Sequence, residues 1–288
     1  MSWVWLTDQL VPADEARIPV DDWGFLYGDT LFETIRVVAG RPLAWPEHMT
    51  RLFRSARRLN YSLPWGPDDL LDAIGATLAA NGLADAAARV TVTRGRNPTG
   101  LDLHCSERPQ LVVTVRPYAG PPEEELRAGI AAEMVRVARR EGHTAFRYQA
   151  KSGNYLEFLL ALDRATSARA REAILVDGAG RVLEGARSNV FVVRRGRVLT
   201  PPVRVGILPG VTRGLVVRWA RAEGIPIRAE IVHHGIFRNV GEVFLTNSLW
   251  GILPVASMAG RQYSAPGPVT QRLMERWTRW MQSQARGR

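Results

Sequence analysis

A change of rhythm near residue 120 constrains this fold more than any other feature of the chain. Before it, runs that alternate apolar and polar residues, ARVTVTRG and QLVVTVRPY, are mixed with segments of helical period. The stretch PYAGPPEEE, dense in proline, glycine and like charge, then interrupts both patterns. After it come short strands, AILVD, RVLEG, NVFVV and RVLTP, joined by DGAG and RRGR turns, which predict a meander and a largely antiparallel sheet. At 288 residues the chain exceeds one typical core. The expected organisation is α+β: a small domain over 1–119, an interdomain loop over 120–128 and a larger domain over 129–288.

Helix signals fill in both halves. PEHMTRLFRSARRL has Pro46 near its start, and Pro67-Asp68 opens a second helix through Leu70, Leu71, Ile74 and Leu78 to Asn81-Gly82. A third runs from about Val211 to a stop at Gly224, with Leu215, Val216, Trp219 and Ala220 on one face. Leu273, Trp277, Trp280 and Met281 form a stripe on a last helix, suited to core or dimer packing. SWVWLT and EVFLT have strand character, and ETIRVV and RPLAW flank an Ala-Gly turn.

With 46% hydrophobic and 23% charged residues, the chain has the balance of a globular protein rather than a disordered one. It has neither a basic leader followed by an apolar stretch nor a run of ~20 apolar residues, so a cytoplasmic address is expected. Cys105 is alone and the histidines lack zinc-site spacing, which predicts neither an intramolecular disulfide nor a metal. A net charge of +10 raises the question of nucleic acid. The pairs Arg57-Arg58, Arg139-Arg140 and Arg194-Arg195 are scattered without an aromatic-basic stripe, so the expected partner is an anionic small molecule.

The 38 basic residues comprise 37 arginines and one lysine, Lys151. Arginine cannot lose its proton at working pH, whereas a lysine amine can, and can then attack a carbonyl. Lys151 lies in AKSGNYLEFLLALDRA, where Asn154 and Glu157 have capping-box spacing, so a helix is expected just beyond it. An amine, an acid and phosphate donors are the three things a pyridoxal phosphate (PLP) enzyme must supply. Glu184, at the end of the strand in RVLEGARSNVF, is a carboxylate suited to a pyridine nitrogen. In GILPGVTRGL a Gly- and Pro-bounded turn opens a helix near Val211 and Thr212, where backbone N–H groups suit a phosphate.

Seven ordered segments, WGFLYGDTLFETIR, HMTRLFRSA, VTRG, AKSGNYLEFLLALDRA, LEGARSNVFVV, TPPVRVGILPGVTR and FLTNSLWGILPV, then carry a resemblance from about Trp23 to Val255. The chain resembles the class IV, fold-type IV PLP enzymes, which include branched-chain and D-amino acid aminotransferases and aminodeoxychorismate lyase. That resemblance implies a small N-terminal α/β-sandwich domain, an interdomain loop and a larger β-rich, barrel-like domain, with the active site between them at a homodimer interface. It also implies that Lys151 holds PLP as a Schiff base and that Glu184 binds the pyridine nitrogen. Arg51, Val211, Thr212 and Ser248 would hold the phosphate, with Tyr155 near the phenolic oxygen. Ser188, Asn189 and Asn247 are expected as further cofactor contacts, and Tyr27, Arg94 and Arg96 as substrate contacts.

GDTLFETIR and FLTNSLWGILPV are most similar to aminodeoxychorismate lyase; an aminotransferase for branched-chain or other hydrophobic amino acids is the alternative. Trp23 and Thr30 stand where the family more often has arginine and glycine. Thr99 and Leu101 stand where D-amino acid aminotransferases carry a carboxylate-binding arginine and a histidine, which argues against that activity. Arg96 offers a guanidinium to a substrate carboxylate instead.

Overall fold

The computed structural model describes residues 2–98, 100–103, 107–138 and 149–286; Thr99, Cys105 and the Arg139-Arg140 pair lie outside the described residues. The chain divides into two compact units, Met1–Ala119 with Ala150–Tyr155 and Ser283–Arg288, and Gly120–Gln149 with Leu156–Gln282. The short segment carrying Lys151 therefore belongs to the first unit, whereas the sequence pattern assigns it to 129–288. Backbone pairing to a strand of the first unit, detailed below, is the reason.

In the first unit the elements are β1 (Trp3–Leu6), β2 (Gln9–Pro12), α1 (Trp23–Tyr27), β3 (Thr30–Val38), β4 (Arg41–Pro42), α2 (Trp45–Arg58), α3 (Pro67–Ala80), β5 (Ala86–Thr93) and β6 (Leu111–Pro117). The strands form one sheet in the order β2-β1-β6-β5-β3-β4, antiparallel throughout. Met49, Leu52 and Ala56 of α2 and Leu70, Ile74 and Leu78 of α3 pack with Ile35, Val90 and Val113 of the sheet. Spacings of three and four put each helical set on one face. RPLAW contributes only two strand residues, because Pro46 already favours the first turn of α2.

Leu31, Ile35 and Val37 fill this core, and the period-two alternation of β3 puts Glu33 on the same face. Glu33 is 1% exposed. Arg51 donates from Nε to Oε1 at 2.8 Å and from Nη2 to Oε2 at 2.5 Å, and His48, three residues earlier on α2, bonds Oε2 through Nδ1 at 2.7 Å. Burial alone would raise the Glu33 carboxyl; the Arg51 guanidinium, aided by His48, overcomes this and holds it down at about 2. Burial pushes the His48 imidazole down against the pull of Glu33, so the ring is neutral and keeps its proton on Nδ1, facing the carboxylate.

The second unit contains α4 (Glu123–Ala128), β7 (Ile130–Arg136), α5 (Leu156–Ser167), β8 (Glu172–Val176), β9 (Val182–Gly185), β10 (Asn189–Arg194), β11 (Arg197–Thr200), α6 (Val211–Ala222), β12 (Ile227–Ala229), β13 (Glu242–Asn247), β14 (Gly251–Met258), β15 (Arg261–Gln262) and α7 (Pro268–Ala285). Its curled sheet runs β12-β11-β10-β13-β14-β7-β8-β9, with β15 paired to β14. The meander holds only within the hairpins β8–β9 and β10–β11, since β9 and β10 stand apart in the sheet order. Antiparallel pairs remain the majority, but β7 runs parallel to both β8 and β14. A helical crossover through α5 allows the β7–β8 pairing. Residues 120–128 are not all loop: Glu123, Glu124 and Glu125 occupy the first turn of α4, where a helix's positive end favours them, and Gly129 ends it.

Helix α7 draws its N-terminal cap from another element. Glu242 of β13 accepts from Thr270 N at 2.8 Å, Thr270 Oγ1 at 2.7 Å and Val269 N at 3.2 Å. Replacing Glu242 with Ala strands these donors and is expected to cost about 1–3 kcal/mol, read as a lowered Tm.

Glu33→Gln is expected to cost about 3–5 kcal/mol at neutral pH, as befits a broken buried ion pair. The folded carboxyl titrates near 2 against an ordinary 4.5, so this stabilisation is complete above about pH 4.5 and is lost as pH falls towards 2. Acid unfolding of the variant should be flatter across that window, and an unaltered acid slope would contradict the assignment.

Candidate active site

Lys151 is fixed by backbone bonds to β3. Phe32 N donates to the Lys151 carbonyl at 2.9 Å and Gly153 N to the Thr30 carbonyl at 3.0 Å, around a bridge between Leu31 and Ser152. Gly153 permits the approach, because a Cβ there would lie 2.2 Å from Thr30 Oγ1. Asn154 extends the attachment, with Nδ2 bonding the Gly28 carbonyl at 3.3 Å. The Lys151 Nζ sits 4.5 Å from the Phe32 ring centroid and 5.9 Å from that of Tyr155, and the two rings meet edge to face. Aromatic faces attract a cation and keep water away from it.

The same Phe32 ring carries the Arg89 guanidinium, 3.6 Å from its centroid. Neither Phe32 nor Arg89 stands out in the sequence. Arg89 reads as an outward residue of an alternating strand, and only the β3–β5 register, which sets Thr34 opposite Arg89 and Phe32 opposite Thr91, brings it to Phe32. Arg51 is buried, with Nε and Nη2 on Glu33, so its orientation is set by the sheet.

A second group of candidates lies in the second unit. Glu184, 5% exposed, accepts from Leu208 N at 3.0 Å and Asn189 Nδ2 at 3.5 Å through Oε2. Val211 opens α6 after Gly210, and no side chain caps the helix. The buried hydroxyls of Thr212, in the first turn of α6, and Thr246, near the end of β13, have no hydrogen-bond partner. Open amides at a helix N-terminus and orphaned hydroxyls are donors that a phosphate would satisfy, so the residues present fit PLP. Ser248 is half-buried in the turn joining β13 to β14.

Several expected contacts turn inward. Arg94 is 3% exposed and each of its three nitrogens is engaged: Nε with Asp29, Nη1 with the Asn60 and Leu103 carbonyls at 3.0 and 3.2 Å, and Nη2 with the Leu59 carbonyl at 2.9 Å. These bonds anchor its loop. Asn247 accepts from Leu249 N and Trp250 N at 3.0 and 2.8 Å and shapes its own turn. Asn189 bonds the Leu208 carbonyl at 3.0 Å, and Ser188 Oγ faces Glu172 at 3.4 Å. Of the remaining substrate candidates, Arg96 pairs with Asp21 at 2.9 Å near the surface, and Tyr27 is exposed, edge-on to Trp23. Among the described residues no cluster of His, Cys, Asp and Glu could hold a metal, and no helix is long and apolar enough to cross a membrane.

Residues 30–258 match the sequence profile of the amino-transferase class IV family. A provisionally named branched-chain-amino-acid aminotransferase of Methanocaldococcus jannaschii is 35% identical over 96% of this chain and 97% of its own. Among solved structures, 4-amino-4-deoxychorismate lyase from Pseudomonas aeruginosa is 30% identical with a TM-score of 0.83, covering 95% of this chain and 97% of that one. A branched-chain amino acid aminotransferase from T.th., complexed with N-(5'-phosphopyridoxyl)-L-glutamate, is 27% identical with a TM-score of 0.85, covering 100% of this chain and 95% of that one. The chain belongs to the class IV aminotransferase family of fold-type IV, PLP-dependent enzymes.

Proposed function

We propose that this protein is a cytoplasmic lyase that converts 4-amino-4-deoxychorismate to 4-aminobenzoate and pyruvate. Lys151 holds the cofactor covalently through Nζ, Glu184 binds its ring nitrogen, and Arg51, the Val211 and Thr212 amides, the Thr212 hydroxyl and Ser248 hold its phosphate. Tyr155 lies near its phenolic oxygen. When bound, PLP supplies an aldehyde that takes up the substrate amine and an electron sink for the bond that breaks next to it. The Lys151 amine would then act as the base that takes the proton from the ring carbon bearing nitrogen. The ether bond to the enolpyruvyl group on the neighbouring carbon then breaks, and the departing fragment takes up a proton as pyruvate. No amino acceptor is consumed, and aromatisation drives the step.

Arg89 is the observation that carries this reading. A guanidinium and the Lys151 amine share the ring of Phe32. That arrangement suits a substrate whose carboxylate stands across a ring from its amine. The second reading is an aminotransferase, favoured by the named aminotransferase relatives and by the equal fit of Arg89 to the distal carboxylate of a diacid acceptor. We further propose a homodimer, because the consecutive Phe25, Leu26 and Tyr27 of α1 are 71%, 49% and 52% exposed, bare apolar surface that a lone subunit does not favour.

Purified enzyme given aminodeoxychorismate without any keto acid should release 4-aminobenzoate; strict dependence on an amino donor with 2-oxoglutarate or pyruvate would select transamination instead. Borohydride reduction followed by digestion should leave the pyridoxyl label on residue 151, and Lys151→Ala should abolish turnover. Arg89→Met is expected to raise KM by roughly tenfold or more with less effect on kcat, as for a lost contact to a charged group.

A further inference from the structure

Arg213, in the first turn of α6, is 8% exposed. Its Nε donates to Thr200 Oγ1 at 3.3 Å and its Nη2 to the Pro201 carbonyl at 3.0 Å. Neither acceptor is charged. A guanidinium cannot shed its proton to escape burial, so a buried one needs a counter-charge as well as hydrogen bonds.

No carboxylate among the described residues pairs with it directly, and the charge of Glu184 reaches it at longer range. The two residues are joined by a tightly packed path. Asn189 Nδ2 bonds both Glu184 and the Leu208 carbonyl. Gly210, which immediately precedes α6, lies against Asn189 so closely that a Cβ on it would be 1.9 Å from the Asn189 Oδ1 and 3.4 Å from the Arg213 Cβ. Any side chain at 210 would force this path open. Burial pushes the Arg213 guanidinium down, and the Glu184 carboxylate pulls it back up. Such coupling is reciprocal: the cation that feels the carboxylate also favours its ionised form.

We propose that Arg213 is a positioning residue that holds Glu184 ionised from behind, so that Glu184 is ready to bind a protonated ring nitrogen before the cofactor arrives. The inference rests on the assignment of Glu184 to that nitrogen given above. An unaided carboxylate in so buried a position would favour its neutral form, which binds a pyridinium poorly. The Leu208 N–H stabilises the charge by direct contact and Arg213 does so at longer range.

The alternative is that Arg213 only fastens α6 to the end of β11. Arg213→Gln, Arg213→Lys, Glu184→Gln and the Glu184→Gln/Arg213→Gln double variant separate the two. The measurement is the Kd of each apoenzyme for PLP, with the visible band of the bound cofactor recorded alongside. Arg213→Gln keeps a donor for Thr200 or Pro201 but removes the charge, and is expected to weaken PLP by roughly tenfold to a hundredfold. Arg213→Lys should recover most of that loss, and the Gln substitution should add little in the Glu184→Gln background. Equal losses in both backgrounds would overturn the proposal and leave a structural anchor. A Glu184→Gln enzyme with unchanged affinity and band would overturn the assignment of Glu184 itself, and this inference with it. If the double variant does not fold, 1-deaza-PLP, which lacks the ring nitrogen, serves in its place. Arg213→Gln and the parent should then bind that analogue equally, and a persisting deficit would refute the idea.

Discussion

The pairing that lays residues 150–155 along β3 is the constraint on which the first half of the site depends. Two backbone hydrogen bonds and the absence of a side chain at Gly153 bring Lys151 to a strand more than a hundred residues earlier in sequence. Everything near the amine then follows from β3: its outer face supplies Phe32, and its inner face supplies Glu33, which orients Arg51 from α2. A lysine on a free loop would have none of these neighbours fixed. Held on a strand, it has an aromatic floor and a nearby guanidinium in constant register.

The second unit solves a different problem, which is how to bury charge and leave donors open. Glu184 at the end of β9 and the uncapped start of α6 sit within a few residues of Asn189, Leu208 and Gly210. The orphaned hydroxyls of Thr212 and Thr246 are costly in the apoprotein. An anion accepting from them would relieve that cost, which fits the proposed place of Thr212 at the cofactor phosphate. Arginine and lysine divide the work. Arg51, Arg94 and Arg213 are buried and tied to carboxylates or carbonyls. The one residue whose amine can exchange partners is the single lysine.

Much of this was legible in the chain. The alternating runs became β5 and β6, the Pro-initiated segments became α2 and α3, and the Gly-Pro turn before Val211 opened a 12-residue helix. These patterns are local, and local geometry decides them. What the chain alone hid is of another kind. Arg94 sits next to Gly95 in an open-looking loop, yet Asp29 and three carbonyls from distant turns surround it. Asn247 looks like a ligand contact, and its Oδ1 also shapes its own turn. Arg89 has the outward place its strand alternation predicts, and only the sheet register shows that it also lies over Phe32.

From the sequence alone came the chemistry on offer: one primary amine, a strand-end carboxylate, a helix start rich in open amides, and a change of rhythm near residue 120. Residue type and short-range spacing suffice for these, since reactivity belongs to the side chain and capping to the adjacent turn. Tertiary structure alone decided which unit owns Lys151, which arginines are spent on the fold, and which hydroxyls are left without partners. Those outcomes depend on strand register and on contacts between residues far apart in the chain, and a one-residue shift of β3 would have turned Phe32 and Glu33 to the opposite faces.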